Sequence, residues 1–168
     1  MGTLALTAYR AVVELRVTPY DHPDAVKLVD GVQQEYVVRY GDQDLTPVDP
    51  AEFALPHGLF LVGYDDGVPV ACGGWRAHPD GLGPGEAEIK RMFVVESARG
   101  KGFARVILAE LERTAAVAGH RRLVLETGLK QPEAIALYRS SGYAEITKFG
   151  YYREDELSLC FGKELTAG

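Results

Sequence analysis

The chain has 168 residues, 46% of them hydrophobic, enough for one ordinary core and short for two. Its net charge of −6 argues against general nucleic-acid binding, and no apolar run approaches the length of a membrane span. Cys72 and Cys160, the two cysteines, lie too far apart to suggest a disulfide framework or a zinc site, and core packing is the simpler reading.

No secretory signal is apparent at the N-terminus, and Leu6 stands where a myristoylation motif wants Ser or Thr, so a cytoplasmic protein is expected. Tyr9 to Val17 alternates loosely and reads as a first strand. Asp21 can cap a helix with Pro23 in its first turn, and Ala25, Val29, Val32, Tyr36 and Tyr40 form its apolar stripe up to Gly41. The stretch from Asp42 to Pro56, with its prolines and acids, reads as a loop kept for function, with one helical turn around Pro50–Phe53. Leu59–Tyr64 and Val68–Ala77 flank Asp65-Asp66-Gly67 and make a hairpin, with Trp75 packed on the sheet. A connection rich in Gly and Pro, Pro79 to Gly85, leads into a strand from Glu88 to Val95.

After a short loop, a helix from about Gly102 to Gly119 places Ala104, Ile107, Leu108, Leu111, Ala115 and Ala118 on one face. Leu123–Glu126 is a short apolar strand, and Gln131-Pro132-Glu133 opens a helix that ends at Gly142. Tyr143–Thr147 and Glu156–Gly162 read as closing strands. Hairpins at both ends of an α/β pattern predict a mixed sheet.

The chemistry centres on Glu88 to Ala104. A helix that opens on a glycine-rich turn points free N–H groups and its positive dipole end at whatever sits there, usually phosphate. Lys90, Arg91, Arg99, Lys101 and Arg105 collect around that turn. Residues 1–87 carry 5 Lys/Arg against 13 Asp/Glu, and residues 88–168 carry 13 against 11. An acidic half beside a basic phosphate site suits a cationic substrate meeting a polyanionic cofactor, although a merely soluble acidic surface has the same composition. Arg99-Gly100-Lys101-Gly102-Phe103-Ala104 is neither a P-loop, lacking Gly-Lys-Ser/Thr, nor a dinucleotide fingerprint, and a structural turn would also account for it.

Taken with Glu88–Val95 before it, and with Gln131-Pro-Glu-Ala-Ile-Ala-Leu-Tyr138 and Gly142-Tyr143 after it, this loop resembles the GCN5-related N-acetyltransferase (GNAT) superfamily. That family writes its pyrophosphate loop Arg/Gln-x-x-Gly-x-Gly/Ala, and Arg99, Gly102 and Ala104 fill those positions. The resemblance is specific from about Ala87 to Tyr143. It implies one N-acetyltransferase domain over residues 1–168 with its motif-bearing core at about 68–162. The implied fold is a central mixed, mostly antiparallel sheet of about six to seven strands flanked by about four helices.

By the same resemblance, Arg99, Gly100, Lys101, Gly102, Phe103 and Ala104 cradle the pyrophosphate of acetyl-CoA, the cosubstrate. Met92, Phe93 and Val94, near an expected bulge, pair with the pantetheine arm and polarise the thioester carbonyl. Gln131, replacing the family's frequent Asn, is a further pantetheine contact. Glu88 is the candidate base that deprotonates the amine, and Tyr138 the candidate acid for the CoA thiolate; a solvated Glu and a core Tyr are the plainer alternatives. Asp42, Asp44, Asp49 and Glu52, with Tyr151, Tyr152, Glu154 and Asp155, fall where the family forms its acceptor pocket, and acids among aromatic rings suit an ammonium. The four histidines assemble no site by spacing, and no metal is called for. The implied activity is direct acetyl transfer to a primary amine, a small cationic or amino-acid-like molecule. A protein lysine or N-terminus, or a non-catalytic acyl-CoA-binding sensor, is the alternative. No nucleic-acid or membrane partner is expected; a homodimer is open by analogy.

Overall fold

The computed structural model describes residues 12–77, 79 and 81–166, so the start of the expected Tyr9–Val17 strand and His78 lie outside the described residues. One seven-stranded sheet organises them in the order β1-β2-β3-β4-β5-β7-β6. Three α-helices accompany it among the described residues, together with two 3-10 turns at Pro50–Phe53 and Glu96–Ala98, in line with the expected mixed sheet of six to seven strands and about four helices. No helix among the described residues is long and apolar enough to cross a membrane.

β1 (Glu14–Val17) runs antiparallel to β2 (Gly58–Asp65), which turns through Asp66 and Gly67 into β3 (Val68–Arg76). Both turn residues have positive φ, 50° and 77°, the pattern of a tight two-residue hairpin loop. Before them, α1 (Pro23–Tyr40) is capped by the His22 ring, which accepts from the Asp24 N–H, rather than by Asp21, and it ends on Gly41 at φ 84°. Of its expected stripe, Ala25 and Val32 are buried, with Leu28 between them; Tyr36 and Tyr40 are half-buried and face a cavity.

β4 (Glu86–Val94) pairs antiparallel with β3, and a bulge interrupts that pairing. Cys72 sits opposite Phe93 but Gly74 sits opposite Lys90, so β4 carries one extra residue at Arg91–Met92. Arg91 takes φ 61°, and its carbonyl accepts the Cys72 thiol at 3.2 Å. On its other edge β4 runs parallel to β5 (Arg122–Gly128), paired only at Glu86, Ala87 and Glu88. Beyond Glu88 the two strands no longer pair, leaving an open edge on each. The closing strands are β6, shortened to Ala144–Glu145, and β7 (Ser158–Glu164).

The sheet sorts its side chains by strand alternation. Ala87, Ile89, Leu123, Leu125, Leu159 and Phe161 join the core beneath α2 (Phe103–Val117), which buries Ile107, Leu108, Leu111 and Ala115 of its predicted stripe, while Ala104 is half-buried and Ala118 exposed. Trp75 belongs there too, fully buried, its indole N–H donating to Thr114 at 3.0 Å. α3 (Pro132–Ser140) adds Tyr138 to the same core. A smaller apolar cluster lies under α1, built from Ala25, Leu28, Phe53, Phe60, Val62, Tyr64 and Cys72. Glu88, Lys90, Glu126, Ser158 and Cys160 alternate with the first core's residues and so face the α1 side. That face carries the chemistry.

Candidate active site

Two cavities open where β4 and β5 part. The first, of about 420 Å3, is lined by Met92, Phe93 and Val94 of β4, by Arg99, Gly100, Gly102, Phe103, Ala104 and Arg105 of the loop and α2, and by Gln131, Ala134 and Leu137 of α3. Gly102 occupies the cap position of α2 at φ 82°, with no side-chain cap and no acid in the first turn. The first N–H groups of a 15-residue helix therefore point into the cleft without an internal partner. Gly100, at φ 79°, makes the same left-handed turn two residues earlier.

Two of the basic side chains of this cleft are held by carboxylates, while Arg105 donates to the Ser140 hydroxyl at 2.8 Å. Arg99 pairs with Glu35 of α1 and donates to the Val94 carbonyl at 2.9 Å. Arg39 spans from α1 to Glu133 at 3.0 Å and to the Lys130 carbonyl at 2.8 Å. Lys101 points elsewhere, 3.6 Å from Asp65, and does not line the cleft. The cleft thus offers a long apolar strand edge leading to a ring of N–H donors and guanidinium groups. A molecule with an amide-bearing arm and a pyrophosphate fits those donors, which is the form of CoA.

The second cavity, of about 290 Å3, lies on the α1 face and shares Gln131 with the first. Two loops roof it. Residues 42–45 are tied to α1 through Gln33, which accepts from the Asp44 N–H at 2.8 Å. The Tyr152 hydroxyl accepts from the Leu45 N–H at 2.7 Å and joins this loop to the one before β7. Asp42, Asp44, Tyr152 and Asp155 line the cavity as expected. Asp49 and Glu52 do not; Asp49 caps the 3-10 turn, and Glu52 accepts from Arg76 at 3.2 Å. Tyr151 and Glu154 also stay outside.

The bulge sets the electrostatics of the floor. It turns both Lys90 and Arg91 toward one oxygen of Asp44, at 3.1 and 2.7 Å. Burial opposes the charge of Asp44, but those two cations hold its carboxyl well below the usual range. Glu126 on β5 is the opposite case. Burial pushes its carboxyl up to about 7; Lys90 pulls it down, and the charges of Glu88 and Asp44 add to the rise. Its Oε2 is buried with no hydrogen-bond partner among the described residues, and so is the Ser158 hydroxyl nearby; both residues line the cavity. Buried polar atoms are seldom left unpaired, so both have bonding capacity that a water or a ligand can take up.

The two catalytic candidates from the sequence are placed differently. Glu88 is 4% exposed and lines neither cavity; it accepts from Arg76 at 2.9–3.0 Å, and Arg76 also reaches the Pro47 carbonyl at 2.9 Å. It anchors the 42–53 segment to the sheet. Tyr138 also lines neither cavity; it follows the cleft-lining Leu137 and belongs to the core, with its ring on Tyr143 at 5.6 Å and Phe161 at 6.4 Å. Burial, with Tyr36 adding to it, pushes its phenol above the ordinary range, so it holds its proton. Glu126 was missed by motif reading because it looked like the end of a short apolar strand. The signal available was its position on the α1-facing side of Leu123–Glu126, next to the helix that Gln131 opens.

Comparisons with known proteins agree with this geometry. The model of the acetyltransferase (GNAT) family matches residues 26–143. An Azospirillum brasilense protein named IAA acetyltransferase is 42% identical over 118 residues, 70% of this chain and 75% of its own length. The uncharacterized N-acetyltransferase YjgM of Escherichia coli is 30% identical over 146 residues, 83% of this chain and 86% of that protein. Among solved structures, a putative acyl-CoA N-acyltransferase from Klebsiella pneumoniae superposes with a TM-score of 0.75 at 28% identity, covering 93% of this chain and 99% of that one. An uncapped helix end on a glycine loop, a bulged strand parted from its neighbour and the match over residues 26–143 together make this chain a member of the acetyltransferase (GNAT) family.

Proposed function

We propose that this acetyltransferase moves the acetyl group of acetyl-CoA directly onto a primary amine of a small molecule, with Glu126 as base and Tyr138 as acid. The observation that carries this reading is the meeting of two cavities at Gln131, one with donors that suit CoA and the other holding a carboxyl with one unpaired oxygen, pushed up to about 7. A base poised near neutrality is what an amine nucleophile requires, because an ammonium has no lone pair to attack with.

In this reading acetyl-CoA supplies the acetyl group as a thioester, whose C–S bond breaks as the new C–N bond forms. The backbone edge at Met92–Val94, unpaired on the β5 side, donates to the carbonyl oxygen as negative charge grows there. Glu126 takes one proton from the ammonium, and Tyr138 gives its own to the departing sulfur. The second amine proton leaves through water, and the tyrosinate recovers a proton from solvent. Arg99, Arg105 and the first N–H groups of α2 hold the phosphates. Glu88 has a positioning role: by fixing Arg76, it holds the segment that carries Asp44 over the floor.

The test is thiol release from acetyl-CoA, screened against polyamines, amino acids, aminoglycosides, arylamines and short lysine or N-terminal peptides. Release that depends on a small amine supports the proposal. Binding of acetyl-CoA by calorimetry with no amine-dependent release from any small molecule overturns it, and release with the peptides alone moves the acceptor to protein.

A further inference from the structure

The acceptor cavity has more to say than that its ligand is an amine. Its floor holds three polar groups with bonding capacity to spare: Glu126, Ser158 and Lys90. Lys90 has an 8% exposed side chain, and its one hydrogen bond among the described residues, to Asp44, uses one of three N–H donors. Asp44 can do little more for it. The same Asp44 oxygen already takes Arg91, and the other accepts from the Thr46 N–H at 3.0 Å. Two cations on one carboxylate leave a local excess of positive charge.

Glu126 can balance that charge only while it is ionised, and in the reaction it becomes neutral when it takes the amine's proton. Of the other carboxylates nearby, Glu88 and Glu52 are engaged by Arg76, while Asp42 and Asp155 sit exposed in the two roof loops and accept from the Gln43 and Leu157 N–H groups, above the floor. The floor therefore lacks an anion at the stage when it needs one. Around these polar groups the walls are tyrosine and leucine: Tyr36, Tyr40, Tyr152, Leu45 and Leu157. Leu45 and Leu157 are 54% and 37% exposed at the mouth, apolar surface that a ligand's body would cover. A cavity of about 290 Å3 is at the small end for ligand sites and suits one compact molecule.

Building on the acceptor reading of this cavity, we propose that the acceptor is a free amino acid with an apolar side chain. Its amine meets Glu126, its carboxylate meets Lys90 and the Ser158 hydroxyl, and its side chain lies against the tyrosines and leucines. A carboxylate beside the amine supplies the missing anion and fills the open donors in one molecule. A plain amine would leave two Lys90 N–H donors and the Ser158 hydroxyl unfilled, and buried donors left unfilled lower affinity.

The experiment compares leucine, methionine, phenylalanine and tryptophan with their carboxamides and with the decarboxylated amines, by initial rates of thiol release from acetyl-CoA. The free acids should exceed both neutral series in kcat/KM by about ten- to a hundredfold, the worth of a charge-assisted hydrogen bond. In Lys90→Met that ratio should fall to about one, and Ser158→Ala should raise KM for the acids more than for the amines. If the amides or plain amines react as well as the acids in the wild type, the amino-acid assignment is overturned while the acetyltransferase reading stands. If acetyl-CoA binds and none of the three series releases thiol, the amino-acid assignment falls, and release with the polyamines, aminoglycosides or arylamines of the wider panel then decides whether the acetyltransferase reading stands. The wild-type comparison decides the matter even if a variant fails to fold.

Discussion

The two cavities that meet at Gln131 are built in different ways. The proposed CoA cleft takes its backbone donors from one stretch, Met92–Arg105, with a bulged strand edge, two left-handed glycines and the first turn of α2, and side chains of α1 and α3 close it. The acceptor cavity is made of side chains from α1, the 42–45 loop, β4, β5 and the segment before β7. Backbone donors serve every acyl-CoA alike, because a pyrophosphate and a pantetheine arm do not change from one donor reaction to the next. Side chains from scattered segments can be exchanged one at a time without disturbing the sheet. On the proposed assignments, the cleft fixes the reaction and the cavity fixes what is acetylated.

The sharpest test of this contrast sets the two carboxylates of the α1 face against each other. Glu126→Gln should lower kcat/KM by about a hundred- to ten-thousandfold, the usual worth of a general base, and leave acetyl-CoA affinity in calorimetry close to wild type. In the wild type kcat/KM should rise with pH through about 7 as Glu126 ionises, and the variant should lose that limb. An unchanged pH profile in the variant would remove Glu126 from the chemistry. Glu88→Ala should act mainly on the fold. Leaving Arg76 buried with only Glu52 should cost about 3 kcal/mol in denaturant unfolding. If Glu88→Ala instead keeps its stability and loses turnover, the assignments of the two carboxylates are reversed.

A smaller effect belongs to the cleft. Gly102→Val forces a β-branched side chain into φ 82° and should weaken acetyl-CoA binding by about tenfold, with KM for the amine changed less. Equal losses for both substrates would mean that the cavities are not separable. The smallest effect is on stability against pH. The Glu126 carboxyl has an ordinary value of 4.5 and is raised to about 7 in the fold, so the folded chain binds more protons between those values. Stability from this group is therefore full below about 4.5 and lost as pH rises to about 7. The Tm of Glu126→Gln should gain on the wild type across that window and hold its lead above it; a constant difference from pH 4 to 8 would mean that Glu126 is not held protonated by the fold.

What the sequence determined by itself is whatever depends on neighbours in the chain. The hairpin at Asp66-Gly67, the end of α1 at Gly41, the Pro50–Phe53 turn and the Arg99–Ala104 loop all need particular residues at particular φ angles, and local sequence specifies those. The apolar face of α2 and the expectation of a bulge near Met92 were legible for the same reason, the first from helical spacing and the second from the family loop that follows. Tertiary structure decided the roles of charged side chains. Glu88 and Glu126 face the same side of the sheet, yet Arg76, arriving from β3, pairs with one while the other keeps an oxygen with no hydrogen-bond partner among the described residues. Asp42 and Asp44 reach the cavity while Asp49 and Glu52, in the same loop, turn to capping and to Arg76. A carboxylate's pKa and its use depend on burial and on partners dozens of residues away, and that information appears only when the sheet brings those segments together.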